Sequence, residues 1–179
     1  NEKKRFNNLL MFEKKPIAKI NLRGNPSNKD FIDKVIKILE ITPPVKVGSI
    51  VFNKEITILT TGPNEWIIVS NNTIKEDNND YQLENILYEN ISKNNLGAVT
   101  NITDQFTIFS LSGLNIFEVL SKSSPFDFDT LLNNSSAQTL LNNIDVTIIK
   151  KDNENVDLFV RRSFSEHLWL WLNDSARFI

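Results

Sequence analysis

The sequence predicts an α+β fold with mainly antiparallel sheets, built from two βαββ-like halves. Two observations carry that expectation. Short strand patterns occur in pairs joined by polar turns, and amphipathic helices follow them, which is the order of an α+β chain. The same plan then returns in the second half, so the halves are placed at about 16–95 and 96–179 of one domain, after a polar arm over 1–15.

Residues 1–15 are polar and show no clean period. Ile17, Lys19, Asn21 and Arg23 alternate with Ala18, Ile20 and Leu22, the period of a strand, which Gly24-Asn25-Pro26 ends. Asn28 is placed to cap a helix from about Lys29 to Glu40, whose apolar Phe31, Ile32, Val35, Ile36 and Leu39 recur at helical spacing. Pro43-Pro44 stops it. Three strands follow at Gly48–Phe52, Ile56–Thr60 and Glu65–Ser70, with turns at Asn53-Lys54 and Thr61–Asn64. After a polar loop over 71–80, Tyr81 to about Lys93 reads as an amphipathic helix, stopped near Asn94–Gly97.

In the second half, Ala98–Ile102 and Phe106–Leu111 read as strands joined around Asp104-Gln105, and Gly113 or Asn115 opens a helix that Pro125 breaks. A helical turn is expected within Phe126–Leu132. Strands are expected at Ala137–Leu141, Val146–Lys150 and Val156–Arg161. Ser163, with Glu166 three residues on, fits a capping box at the start of a last helix running from Phe164 to about Phe178. The many Asn pairs fall between periodic segments and act as turn punctuation, since Asn tolerates positive φ.

Composition excludes several chemistries. The chain has 179 residues, no cysteine and one histidine, which removes disulfides, thiolate catalysis, cysteine zinc sites and any multi-histidine metal site. The net charge of -2, with both signs dispersed, argues against a nucleic-acid binder. No apolar run approaches the roughly 20 residues of a membrane span, and no signal peptide is visible, so a cytoplasmic location is expected. The isolated glycines match no phosphate-loop spacing.

Single residues offer little catalytic pattern. His167 has no serine or carboxylate at a recognised spacing and reads as a helix-surface or interface histidine. Ser112-Gly113 is not a nucleophile elbow. Asp127 and Asp129 lack the further oxygen ligands of a cation loop and read as solvated loop residues. Arg161-Arg162 ends a strand before the last helix, and strand alternation would turn one inward, to a compensating carboxylate or carbonyl, or onto an anion of a partner chain. Leu168, Trp169, Leu170, Trp171 and Leu172 make the last helix apolar nearly all round, as in a helix covered on more than one side. Arg161, Arg162, Phe164, His167, Leu168, Trp169 and Trp171 are therefore the candidate subunit-interface residues.

Longer stretches carry a resemblance. In order, they are GPNEWIIV from Gly62, TDQFTIFSLSGLNIFEVLSKSSPFDFD from Thr103, AQTLL from Ala137, and VRRSFSEHLWLWLNDSA from Val160. Together they resemble the gamma subunit family of heterotetrameric sarcosine oxidase, over roughly two-thirds of the chain. The resemblance implies a fold related to the folate-binding domain of glycine-cleavage aminomethyltransferases. It also implies membership of a complex that oxidatively demethylates sarcosine to glycine. The implied partners are the alpha, beta and delta subunits, mainly the large alpha subunit. FAD, FMN, NAD, tetrahydrofolate and zinc are then expected in those partners, with no catalytic residue, cofactor or metal in this chain. Alternatives are a gamma-like subunit of a related N-methyl amino acid oxidase or dehydrogenase, or a stand-alone folate-dependent aminomethyltransferase. The last would need a carboxylate near the pterin, for which the sequence offers no candidate.

Overall fold

A computed structural model describes residues 3–73 and 82–179. Of the loop expected over 71–80, residues 71–73 instead continue the strand from Glu65 to Thr73, and 74–80, with the expected helix start at Tyr81, lie outside the described residues. Among the described residues eleven strands and four α-helices follow in chain order: β1 (Lys3–Phe6), β2 (Leu9–Glu13), β3 (Ile17–Gly24), α1 (Lys29–Leu39), β4 (Ile50–Phe52), β5 (Ile56–Gly62), β6 (Glu65–Thr73), α2 (Gln82–Leu87), β7 (Gly97–Asn101), β8 (Phe106–Ser112), α3 (Ile116–Ser121), β9 (Ser135–Leu141), β10 (Ile144–Asp152), β11 (Asn155–Arg161) and α4 (Arg162–Ser175). Every strand pair described is antiparallel.

The chain divides into two compact units, one of Lys15–Thr103 and one joining the stretch up to Lys14 to Asp104–Ile179. The first unit carries a five-stranded sheet in the order β4-β5-β6-β3-β7, the second a six-stranded sheet in the order β1-β2-β8-β11-β10-β9. Four strands of each sheet match in order: β4-β5-β6-β3 corresponds to β9-β10-β11-β8. The fifth strand is exchanged. β2 directly precedes β3 in the chain yet pairs with β8, whereas β7 directly precedes β8 yet pairs with β3.

This exchange corrects the sequence reading in two places. The stretch read as a polar arm holds the β1–β2 hairpin, with Lys3 opposite Phe12 and Leu10 opposite Ser112. Leu9 and Met11 point into the core while Leu10 and Phe12 occupy the other face, so both faces are apolar and no period of two shows. The seam read at 95/96 falls at 103/104, because β7 completes the first sheet against β3. Asp104 and Gln105 lie in a 3-10 turn between strands of different sheets.

In the first unit, Asn28 caps α1 as expected, its side-chain oxygen accepting from the backbone N–H of Asp30 and Phe31 at 3.0 and 3.3 Å. Phe31, Val35 and Leu39 form the buried face of α1, each contributing about 1.5–3 kcal/mol by leaving water. They meet Ile20, Leu22, Ile58, Trp66 and Ile68 from the sheet and Leu87 and Ile91 from the α2 region. The helix read over 81–93 changes character at Tyr88–Ser92, which is a π-helical turn.

In the second unit, α3 and α4 cover one face of the six-stranded sheet. Ile116, Val119 and Leu120 of α3, with Leu168, Leu172 and Ala176 of α4, join Met11, Phe109, Leu111, Ile148, Leu158 and Val160. The Lys122 ammonium donates to the carbonyls of Ser175 and Phe178 at 2.7 and 3.3 Å, satisfying acceptors at the C-terminal end of α4.

The start of α4 differs from expectation. β11 stays paired through Arg161, opposite Phe106, and the helix begins at Arg162 with Arg161 as N-cap and no side-chain cap. No residue remains between strand and helix for Ser163 to cap, so it lies inside the first turn.

Gly97 sits where β7 meets β3 so closely that an added Cβ would collide with the Arg23 carbonyl oxygen. Gly97→Ala is expected to lower the stability of the chain by about 2 kcal/mol, read as a lower urea midpoint at unchanged m-value. An unaltered midpoint would mean the two strands separate at no cost.

Candidate functional site

The expected interface residues all fall at the β11–α4 junction and on α4. Leu168 is fully buried in the unit's own core beside Leu172, so it holds α4 to the sheet and presents nothing to a partner. Trp169 is half-buried, its ring tilted 30° against Phe109 at 5.0 Å between centroids, an arrangement that adds to its area burial. Trp171 is also half-buried and packs on the same core. The two indoles straddle the buried stripe of the helix.

The outer face of α4 is less apolar than the run of letters suggests. Glu166, His167, Leu170 and Asp174 are exposed there, and Leu170 is 62% exposed. The residues two positions either side, Leu168 and Leu172, are the buried ones, as about 100° per residue requires. Leu170 was not singled out from the sequence. Phe164, at the exposed start of the helix, is 51% accessible.

Neither arginine of the Arg161-Arg162 pair turns inward. Arg162 Nε donates to the Asp104 carbonyl at 2.8 Å, and its Nη2 lies 3.7 Å from the Asp104 carboxylate, joining the start of α4 to the turn before β8. Arg161 lies over the Phe106 ring at 5.9 Å, a cation–π contact at an exposed site. The His167 ring Nε2 is 3.1 Å from the Asn142 amide nitrogen. In that orientation the Asn142 amide N–H₂ donates and the ring nitrogen accepts. Asn142 has positive φ, and its backbone N–H donates to Ser123 Oγ at 2.9 Å. The histidine is thus tied to a turn residue and, among the described residues, is seen with no carboxylate. A cleft of about 310 Å³ beside α4 is lined by Glu13, Phe109, Ser165, Glu166 and Trp169.

Ser112 ends β8, and Asp127 accepts from the Asp129 backbone N–H, capping a 3-10 turn at Phe128–Thr130. Among the described residues no group of three or more His, Asp or Glu side chains is placed to hold a metal ion. Likewise, no described helix is long and apolar enough to cross a membrane.

Sequence reasoning missed a buried charge cluster in this unit. Asp157 of β11 is 5% exposed, and its Oδ2 accepts from Lys14 Nζ at 2.6 Å and Lys151 Nζ at 2.8 Å. Burial pushes the carboxyl pKa up, but the two ammonium groups outweigh it and hold the group below its ordinary value. Lys14 shifts the opposite way to a simple ion-pair lysine. Its own burial lowers it more than a carboxylate shared with Lys151 can raise it. The separation of 143 residues between Lys14 and Asp157 hid the pair from any local pattern.

Residues 23–177 match the family described as sarcosine oxidase, gamma subunit. The chain belongs to that family. In fold it is similar to a chain of the heterotetrameric sarcosine oxidase from Corynebacterium sp. U-96 in complex with pyrrole 2-carboxylate, with TM-score 0.82, 23% identity, and 94% of this chain and 83% of that chain covered. It is also similar to the glycine cleavage system aminomethyltransferase T from Bartonella henselae, with TM-score 0.67, 13% identity, and 93% of this chain and 46% of that one covered. No curated protein sequence matches it. The expected α+β fold of the aminomethyltransferase type and the gamma-subunit assignment both stand on these findings.

A carboxyl held below its unfolded pKa stabilises the fold above the unfolded value, and that contribution disappears as pH falls through the folded value. Unfolded aspartate titrates near about 3.9, so the loss belongs to the window below about pH 4. Asp157→Asn is expected to be less stable at pH 7, by about 2 kcal/mol, and to lose less further stability on acidification than the native chain. Parallel acid limbs for the two proteins, measured by thermal unfolding between pH 2.5 and 7, would remove Asp157 from this role.

Proposed function

We propose that this chain is an accessory subunit without catalytic residues of its own in a heterotetrameric oxidase that oxidatively demethylates sarcosine to glycine. The flavins, NAD, tetrahydrofolate and zinc reside in the alpha, beta and delta partners, and the large alpha subunit is the main docking partner. Membership of the sarcosine oxidase gamma subunit family carries this reading. The surface of α4 supports it: Leu170 stands exposed on the outer face, with Phe164 at the exposed N-terminal end of the helix. Arg161 and Arg162, both exposed, and His167 frame those apolar side chains with groups able to meet carboxylates or carbonyls of a partner. Trp169 and Trp171 hold the helix in place and offer their remaining half-exposed edges.

Affinity purification of the tagged chain from its native host tests the assignment. A yellow eluate containing three further subunits, with sarcosine-dependent reduction of the flavin, is the expected result. A colourless, solitary chain would refute it. Leu170→Lys leaves the fold intact, since exposed positions tolerate change within about 0.5 kcal/mol. It is expected to weaken capture of the alpha subunit about thirtyfold, the effect of losing a hot spot of about 2 kcal/mol. Native-level capture by Leu170→Lys would move the docking surface off α4.

A further inference from the structure

Each sheet has two edges, and three of the four are guarded. β1 presents Lys3, Lys4 and Arg5, the charges that blunt an edge against further pairing. β9 is mostly polar, with Ser135, Ser136, Gln138 and Thr139. β7 is plugged. The pairing of Ile102 N–H with the Lys19 carbonyl sets the ladder so that the Val99 N–H points away from β3, and that N–H donates to Ser92 Oγ at 3.1 Å.

Among the described residues β4 has no such guard. Its residues are Ile50, Val51 and Phe52, and it pairs with β5 on one side only. Asn53 N–H donates to the Ile56 carbonyl and Thr60 N–H to the Ser49 carbonyl, so the residues facing β5 with their backbone groups are Ser49, Val51 and Asn53. The alternation of an antiparallel ladder then turns the N–H and C=O of Ile50 and Phe52 outward. Phe52 is 58% exposed, and Val45 and Val47, in the segment leading into the strand, are 65% and 53% exposed. The loop bearing the valines is anchored, because the Pro44 carbonyl accepts from Trp66 Nε1 at 2.6 Å and Thr60 Oγ1 at 2.8 Å. Exposed Lys46 and Lys54 flank the strand, with Glu55 the carboxylate next to it in sequence.

We propose that β4 is a docking edge that accepts an extended apolar segment with acidic flanks from a partner subunit, adding one strand to the five-stranded sheet. Outward backbone groups select an extended chain, since only a strand offers N–H and C=O at matching repeat. Val45, Val47 and Phe52 select apolar side chains, and Lys46 and Lys54 select acidic flanks. This edge lies in the unit that does not contain α4, so it is a second contact, and it rests on the assembly reading above.

Hydrogen exchange on the purified assembly and on the isolated chain tests the proposal. Amides of the segment 45–54 are expected to exchange at least tenfold more slowly in the assembly, with the Ile50 and Phe52 amides accounting for the gain. Phe52→Pro removes an N–H that β5 does not use, and Phe52→Lys places a guard on the edge while keeping that N–H. Both are expected to weaken assembly at least tenfold while the β5 amides keep their protection. If the assembly forms and 45–54 exchanges as in the isolated chain, the β4 proposal fails and the subunit assignment stands. Retention of native assembly by both variants overturns it in the same way. Protection that rises with concentration of the isolated chain would assign the edge to a second copy and overturn the partner. A chain that never enters an assembly ends both readings.

Discussion

Everything in the second unit depends on β2 pairing with β8, and that pairing ends on a buried charge. β2 delivers Leu9 and Met11 to the core and hands the chain on to Lys14, whose backbone N–H donates to the Ile108 carbonyl at 2.9 Å and whose ammonium reaches Asp157. A buried carboxylate is costly to strand, and among the described residues Asp157 Oδ1 has no hydrogen-bond partner. Two lysines on Oδ2 compensate for this, one from the end of β2 and one from β10. The β10–β11 hairpin and the first strands of the chain are thereby tied at one point. Without Lys14, the carboxylate would retain only Lys151, whose own side chain is 46% exposed and correspondingly screened.

What the sequence made legible was local. α1 was readable end to end because its signals sit within a few residues: an Asn cap, a 3.6-residue apolar stripe and a proline stop. The hairpin at Asn53 was readable for the same reason, since its side chain accepts from the N–H of Glu55 and Ile56 at 2.9 Å each. The β1–β2 hairpin was not readable, because charges line its outer strand and both faces of β2 are apolar. Nor was the strand exchange, for a strand's sequence does not say which sheet it will join.

At the candidate site, the residue types were legible and their directions were not. Reading Leu168 to Leu172 as apolar all round overlooked that the run spans little more than one turn. Five residues sample every direction about the helix axis, and only the neighbours decide which are covered. Leu168 and Leu172 took the inside and Leu170 the outside. Arg161 and Arg162 were read by strand alternation, which fails where the strand passes straight into a helix. Arg162 is already helical and finds its carbonyl in the turn before β8.

The internal repeat gives the fold its own control for separating architecture from function. β4 and β9 occupy the same place in the matched order of the two sheets, each an edge strand beyond the hairpin of the repeat. The architecture therefore asks the same of both: pair on one side, leave the other side open. β9 answers with serine, glutamine and threonine, though Leu140 is exposed and Leu132, three residues before the strand, is 71% exposed. β4 answers with isoleucine, valine and phenylalanine, preceded in sequence by two exposed valines. The shared topology does not account for this difference between its two copies. The same comparison applies to the helices that follow β6 and β11. The α2 region turns π-helical and seals β7 with Ser92, while α4 runs on as a regular helix with Leu170 turned away from its own core. Apolar side chains stay exposed in both helical regions, Ile86 and Tyr88 in one and Leu170 in the other.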